Sequence, residues 1–232
     1  MFITLDSPLR RIPVQLETRQ VLFLDAIRYC VEMIVGAYNR LAHTLLSLRG
    51  VPEMPPDAYP IVFLDAWSLV DVGNRLRLLI ESTPGLKRTP HVTVILKALE
   101  SLKELRNPIQ HLNKVINDLA TTSEGVWGWL TWYLVADGPD PEFEMWWMAA
   151  GSLAPAGFGS SPQLSTGVMA AAPIDRIELH AFGVTASLTD IANAVVTFLP
   201  HFEDSARNAY RDAGLDINNI RSADLCTRSQ FR

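Results

Sequence analysis

The sequence predicts an α+β fold, in which an antiparallel helical bundle carries a small antiparallel β-sheet inserted before the last helix. Apolar residues recur at helical spacing through the first 120 residues and again after residue 187. Between these parts lie runs of aromatic and branched side chains, which favour strands. We therefore divide the chain into a helical bundle at 1–120, a strand-rich, Trp-containing elaboration at 121–186, and a returning helix with a polar tail at 187–232.

The bundle part predicts four helices. In the first, Leu22, Tyr29 and Met33 recur at near-helical spacing, and Gly50 and Pro52 then stop the helix. The second follows a proline-rich linker and is apolar around most of its circumference, which is typical of the centre of a bundle. The four predicted helices cover residues 17–48, 61–81, 89–105 and 108–120.

The middle part predicts three strands. Five of the six tryptophans lie in the first two, where paired aromatic residues usually form a core or an interface; stacking on nucleic-acid bases is the alternative. The third strand alternates apolar and polar residues, so His180 is expected on its polar face. Ser187 or Thr189 is expected to cap the last helix, and Pro200 to kink or break it. The predicted strands cover residues 126–135, 143–149 and 174–184.

Charge is distributed unevenly along the chain. Residues 1–120 contain 14 Lys and Arg against 12 Asp and Glu, a net charge of +2, whereas residues 121–232 contain 6 against 13, a net charge of −7. A polyanion is therefore expected to meet the N-terminal half. Cys30 and Cys226 do not make a disulfide framework and are expected to be reduced. No secretory leader and no apolar run of membrane-spanning length is recognised, so a cytoplasmic location away from the membrane is expected.

The segment 105–112 combines residues that can bind a phosphodiester and transfer a proton. Asn107 is a favoured N-cap and Pro108 fits a first helical position, so a break is expected at Asn107, with Arg106 in the corner and His111 one turn into a new helix. A guanidinium binds phosphate oxygens bidentately, and an imidazole titrates near neutral pH. The alternative is structural: an ion pair for Arg106 and an ordinary polar contact for His111.

These residues resemble the Arg-Asn-x-x-x-His signature of the HEPN superfamily, with Arg106, Asn107 and His111 at the signature positions. The resemblance extends loosely over residues 17–120 and implies a metal-independent endoribonuclease of toxin–antitoxin or phage-defence systems. It implies that His111 acts as general acid or base, that Arg106 stabilises charge in the transition state, and that Asn107 positions the corner. It also implies a homodimer with two motifs facing one cleft, and an antitoxin or other protein as a further partner.

The sequence is compatible with two other functions. One is a non-catalytic HEPN-like module that binds nucleotides, RNA or a protein, and the other is a tryptophan-rich interaction protein. The residues give no zinc signature, serine nucleophile elbow or dinucleotide fingerprint, so neither a metal nor a cofactor is expected.

Supporting residues for the motif are expected on the second and third helices. Asp71 and Arg75 have the i,i+4 spacing of a helical ion pair. Asp65 or Asp71 is expected to orient the Arg/His pair across the bundle. The nearest candidate phosphate contacts are Lys97 and Lys103.

Overall fold

The computed structural model describes residues 2–49, 51, 55–122, 125–135, 143–152, 174–221 and 224. Among these residues, six helices and a four-stranded antiparallel sheet form the α+β arrangement that the sequence predicts. The helices are α1 (Thr18–Ser47), α2 (Ala58–Ser82), α3 (Pro90–Ala98), α4 (Ser101–Gln110), α5 (Leu112–Thr122) and α6 (Leu188–Asp212). The strands are β1 (Trp129–Val135), β2 (Phe143–Ala149), β3 (Ile174–Ala181) and β4 (Val184–Ser187).

Helices α1 and α2 form the centre of the bundle. The N–H of Glu17 donates to the side chain of Gln20 at 3.0 Å, so α1 begins where its local sequence supplies a cap. The stripe of Leu22, Tyr29 and Met33 that identified this helix is exposed, at 63%, 48% and 54%. The opposite face packs into the core through Ile27, Val31, Ile34, Ala37, Leu41 and Leu45.

The predicted single helix over 89–105 is wrong, because the chain breaks between α3 and α4. Thr89 caps α3 by accepting the N–H of Val92 at 3.3 Å, but the helix ends at Ala98. Leu99 then turns the chain, and both Leu99 and Leu102 are fully buried. Burial of these two leucines on either side of the turn therefore outweighs the helical propensity of the segment.

The sheet has the strand order β2-β1-β3-β4. The strand predicted over 174–184 forms over 174–181 as β3 but ends there, because Phe182 and Gly183 both have positive φ, at 53° and 70°, and reverse the chain into β4. Gly128, at φ +71°, precedes β1, and a side chain there would strike the carbonyl oxygen of His180. Only glycine therefore allows β1 to approach β3 so closely at this point.

One face of the sheet packs on the bundle and shares its core. Leu130, Trp132, Ile177 and Leu179 belong to the same buried cluster as the apolar faces of α1 and α2. The tryptophans of the strands divide, since Trp132 is fully buried while Trp147 is 47% exposed.

Helix α6 returns to α1 and α3 and closes the bundle. Ser187 caps it by accepting the N–H of Asp190 at 3.1 Å. The helix continues through Pro200 without the break that was one expectation for this position.

Candidate functional site

Arg106 lies on α4 and reaches across to α2. Its Nε donates to Oδ1 of Asp71 at 3.0 Å, and its side chain is 22% exposed. Neither terminal nitrogen of Arg106 has another hydrogen-bond partner among the described residues. Asp71 therefore holds the guanidinium by one edge and leaves the two terminal nitrogens available to a ligand.

The same carboxylate also binds Arg75, one turn further along α2. Arg75 donates from Nε to Oδ2 of Asp71 at 2.8 Å, and its Nη2 lies 2.7 Å from the same oxygen. Burial raises the pKa of Asp71, but the hydrogen bonds from Arg106 and Arg75 outweigh it and hold that pKa below its usual value. We call Arg75, Asp71 and Arg106 the arginine cluster. Two guanidiniums and one carboxylate give it a net charge of +1.

The close packing of α4 on α2 brings Arg106 to Asp71. At Gly73 a methyl group would collide with the side chain of Leu102 and meet Cδ2 of Leu99 at 3.5 Å. The absent side chain therefore lets the start of α4 rest directly on α2. Because Gly73 lies two residues after Asp71, this contact also sets the distance that Arg106 must span.

The predicted break at Asn107 is wrong. Helix α4 continues through Asn107 and Pro108 to Gln110, and the chain breaks at His111, whose φ and ψ are −116° and 34°. Pro108 cannot donate a hydrogen bond to the carbonyl of Glu104, and its ring crowds that carbonyl, so burial of Leu102 and Leu105 on the same helix has to offset this cost. Asn107 lies exposed inside α4 and is not the N-cap of any described helix.

His111 lies between α4 and α5 with an exposed side chain. Its N–H donates to the carbonyl of Pro108 at 3.0 Å, and its own carbonyl accepts the N–H of Lys114 at 2.8 Å. Among the described residues, no hydrogen bond or ion pair holds the imidazole. Helical positions five apart point about 140° apart around the helix axis, and α4 is helical from Arg106 to Gln110, so the chain reaches His111 on a different side of the helix from Arg106.

The remaining predicted site residues lie outside the arginine cluster. Asp65 is buried and binds the exposed Arg40 of α1, with Oδ1 and Nη2 2.6 Å apart, so it orients neither Arg106 nor His111. Lys97 and Lys103 are exposed, on α3 and α4 respectively, and neither forms an ion pair among the described residues.

A second polar group, which the sequence analysis did not assign, lies on the face of the sheet that points away from the bundle. His180 is 17% exposed, and its ring nitrogens hydrogen-bond with the hydroxyls of Thr131 and Thr185, both at 2.9 Å. Glu178 lies 3.7 Å from the same imidazole. Burial lowers the pKa of His180 and raises the pKa of Glu178, so both shifts favour the uncharged forms.

The sequence contained a signal for this group that was not used. Strand alternation places Glu178 and His180 on one face of β3, and antiparallel pairing sets Thr131 and Thr185 opposite them. The indole of Trp129 stacks on His180 with ring centroids 5.2 Å apart. These contacts satisfy the polar atoms of His180, which makes the group a structural network of the sheet.

The arginine cluster can bind an oxyanion. It offers guanidinium N–H groups that have no partner among the described residues, a fixed orientation, and a positive charge in the half of the chain that carries net charge +2. Within the described residues, no group of three or more His, Cys, Asp or Glu side chains could hold a metal ion. No helix in the described part of the chain is long and apolar enough to cross a membrane. Comparisons with protein-family models, curated proteins and solved structures found no match to this chain.

Proposed function

We propose that this chain is a HEPN-like module that binds RNA or a nucleotide through its phosphate groups, with the arginine cluster as the contact. The observation that carries the proposal is the bond between Asp71 and Nε of Arg106, at 3.0 Å, which leaves the terminal nitrogens of that guanidinium unpaired among the described residues. An arginine that is oriented before binding loses less side-chain entropy when it meets a phosphate.

Charge supports phosphate as the ligand group. Asp71 neutralises one of the two guanidiniums, so the cluster keeps one net positive charge, and a phosphodiester carries one negative charge. Lys103, on the same helix as Arg106, adds an exposed cation. The net charge of −7 on residues 121–232 disfavours polyanion binding by the strand-rich part.

RNA cleavage is the second candidate function, and the exposed imidazole of His111 favours it. In that reaction the ribose 2′-hydroxyl loses its proton to a base and attacks the adjacent phosphorus, and the 5′-oxygen leaves with a proton from an acid. The products are a 2′,3′-cyclic phosphate and a 5′-hydroxyl. His111 would act as the base or the acid, and Arg106 would stabilise charge on the phosphoryl oxygens.

The side chains of Arg106 and His111 point in different directions, and this affects how the protein could cleave RNA. Because α4 stays helical from Arg106 to Gln110, His111 follows on a different side of the helix, and a single chain directs the two side chains to different sides. We propose a homodimer in which one cleft receives both motifs. The exposed apolar side chains of α1, namely Leu22, Tyr29 and Met33, support self-association.

The biological setting follows from the resemblance. We propose a cytoplasmic toxin or defence component, with an antitoxin as protein partner.

Fluorescence anisotropy with a labelled single-stranded RNA tests the binding function. We expect the wild type to bind in a salt-dependent manner and the double variant Arg75→Ala/Arg106→Ala to lose most of the affinity. Wild-type protein that binds neither RNA nor nucleotides would overturn the proposal. End-labelled RNA incubated with the same protein reports cleavage separately, so binding without cleavage supports the module and rejects the nuclease.

A further inference from the structure

A groove with aromatic walls lies between the start of α2 and the near end of the sheet. It encloses about 800 Å³. Its lining includes Tyr59, Phe63, Leu64, Trp67 and Trp127. The arginine cluster contributes no residue to this lining, so the groove is a separate feature of the molecule.

The aromatic wall is held in place by contacts within the protein. The indole N–H of Trp67 donates to the carbonyl of Trp127 at 3.2 Å. The two indole rings meet edge to face with centroids 6.4 Å apart, and Trp67 also lies against Phe182 at 6.1 Å. Such contacts fix the ring orientations, so the groove keeps its shape without an occupant.

Two side chains of the groove remain exposed although they are large and apolar. Leu64 is 68% exposed and Trp127 is 45% exposed. The neighbouring Ile61, on the same turn of α2, is 50% exposed. Soluble proteins rarely leave apolar side chains together at a concave surface unless the surface binds something.

The chemistry of the lining identifies the class of occupant. None of the described lining residues carries a charged side chain. A charged ligand would lose its hydration there without gaining a counter-charge, which is costly. The indole N–H of Trp127 has no partner among the described residues and offers one donor to an acceptor atom.

We propose that this groove binds an uncharged, largely apolar small molecule that carries a hydrogen-bond acceptor for the indole of Trp127. The volume lies within the range of about 300–1,000 Å³ that is typical of small-molecule sites. The ligand would lie against the rings of Trp67 and Trp127 and against the side chain of Leu64.

Two dyes of opposite character test the assignment. Nile red is uncharged and apolar, whereas 1-anilinonaphthalene-8-sulfonate is apolar and anionic. We expect Nile red to bind the full chain saturably, with a blue-shifted emission, and to bind at least tenfold more tightly than the anionic dye. Leu64→Ser and Trp127→Ala should each weaken the binding of Nile red at least tenfold.

Leu78→Ser is the matched control, because Leu78 is also an exposed helical leucine, at 46%, and lies on α2 outside the groove. It should leave the affinity for Nile red unchanged. Circular dichroism should show that all three variants fold.

Three results would overturn the proposal. One is binding of Nile red that does not saturate, and a second is an equal loss of affinity in the Leu78 and Leu64 variants. The third is a change of sedimentation coefficient in Leu64→Ser, since the groove would then be occupied by a second copy of the chain.

Discussion

Arg106→Ala tests the phosphate contact most directly. The bond from its Nε to Asp71, at 3.0 Å, leaves its terminal nitrogens for one bidentate contact with a phosphate. A hydrogen bond to a charged group contributes about 1.5–3 kcal/mol. The substitution should therefore weaken RNA binding about 10- to 100-fold. Arg106→Lys should fall between the wild type and alanine, because an ammonium keeps the charge and loses the planar fork.

The expected loss of stability is much smaller than the loss of affinity. Asp71 is 38% exposed, so solvent screens its pair with Arg106, and such pairs contribute about 1 kcal/mol or less. For a chain of this length, 1 kcal/mol corresponds to a shift in melting temperature of about 2–4 °C. Folded stability is commonly about 5–15 kcal/mol, so the variant stays folded in the binding assay.

The assay is fluorescence anisotropy with a labelled single-stranded RNA over a series of salt concentrations. Removing one phosphate contact should reduce the slope of log affinity against log salt by about 0.7. Arg211→Ala is the control, because its side chain is 75% exposed on α6 and its removal changes the net charge by the same amount. Equal losses of affinity and slope in the two variants would refute the reasoning, since general charge and not the cluster would then hold the RNA.

Three further perturbations have defined outcomes. Gly73→Ala should lower stability by about 1–3 kcal/mol and weaken RNA binding, because its methyl group would force Leu102 and α4 away from α2. Gly36→Ala is the control, because its methyl group would meet only the end of the Arg40 side chain, at an ordinary contact distance of 3.7 Å, and it should leave both intact in thermal melts and anisotropy. Burial raises the pKa of the Cys30 thiol from 9.0 to about 11, so the stability that the buried neutral thiol contributes is present below pH 9 and is lost as the pH rises to about 11. Urea titrations should show that the wild type loses stability more steeply with alkaline pH than Cys30→Ala does, and parallel curves would contradict this. If the protein cleaves RNA, His111→Ala should reduce the rate of cleavage about 10²- to 10⁴-fold and leave the fold unchanged. EDTA should not affect cleavage by the wild type, so EDTA-sensitive cleavage would reject the proposed chemistry.

The elements that the sequence located correctly are those with a strong local pattern. Helix α1 begins beside the Glu17–Gln20 cap, and α6 begins at the Ser187 cap, both of which depend on neighbours in sequence. Strand β2 occupies the residues predicted for it. The pair of Asp71 and Arg75 likewise follows from one turn of helix, and it is formed.

Local signals failed where burial competed with them. Asn107 and Pro108 favour the start of a helix, yet α4 continues through both residues. Leu102 and Leu105 are fully buried and hold the helix in place, and their burial outweighs the preference of one capping residue. The missed hairpin between β3 and β4 has a related origin, because Phe182 adopts a positive φ that its residue type does not indicate.

By itself the sequence determined the fold class and the amphipathic segments, and it identified the residues that we propose to bind a phosphate. Only the tertiary structure decided which of these residues meet. Arg106 and Asp71 are 35 positions apart, and they are joined because Gly73 lets α4 pack closely on α2. The imidazole of His111 has the same chemistry wherever the chain breaks, but the direction in which this side chain points depends on where α4 ends. Periodicity is a property of neighbouring residues, whereas a site depends on how separate helices pack, and that packing is set by the shape of the whole core.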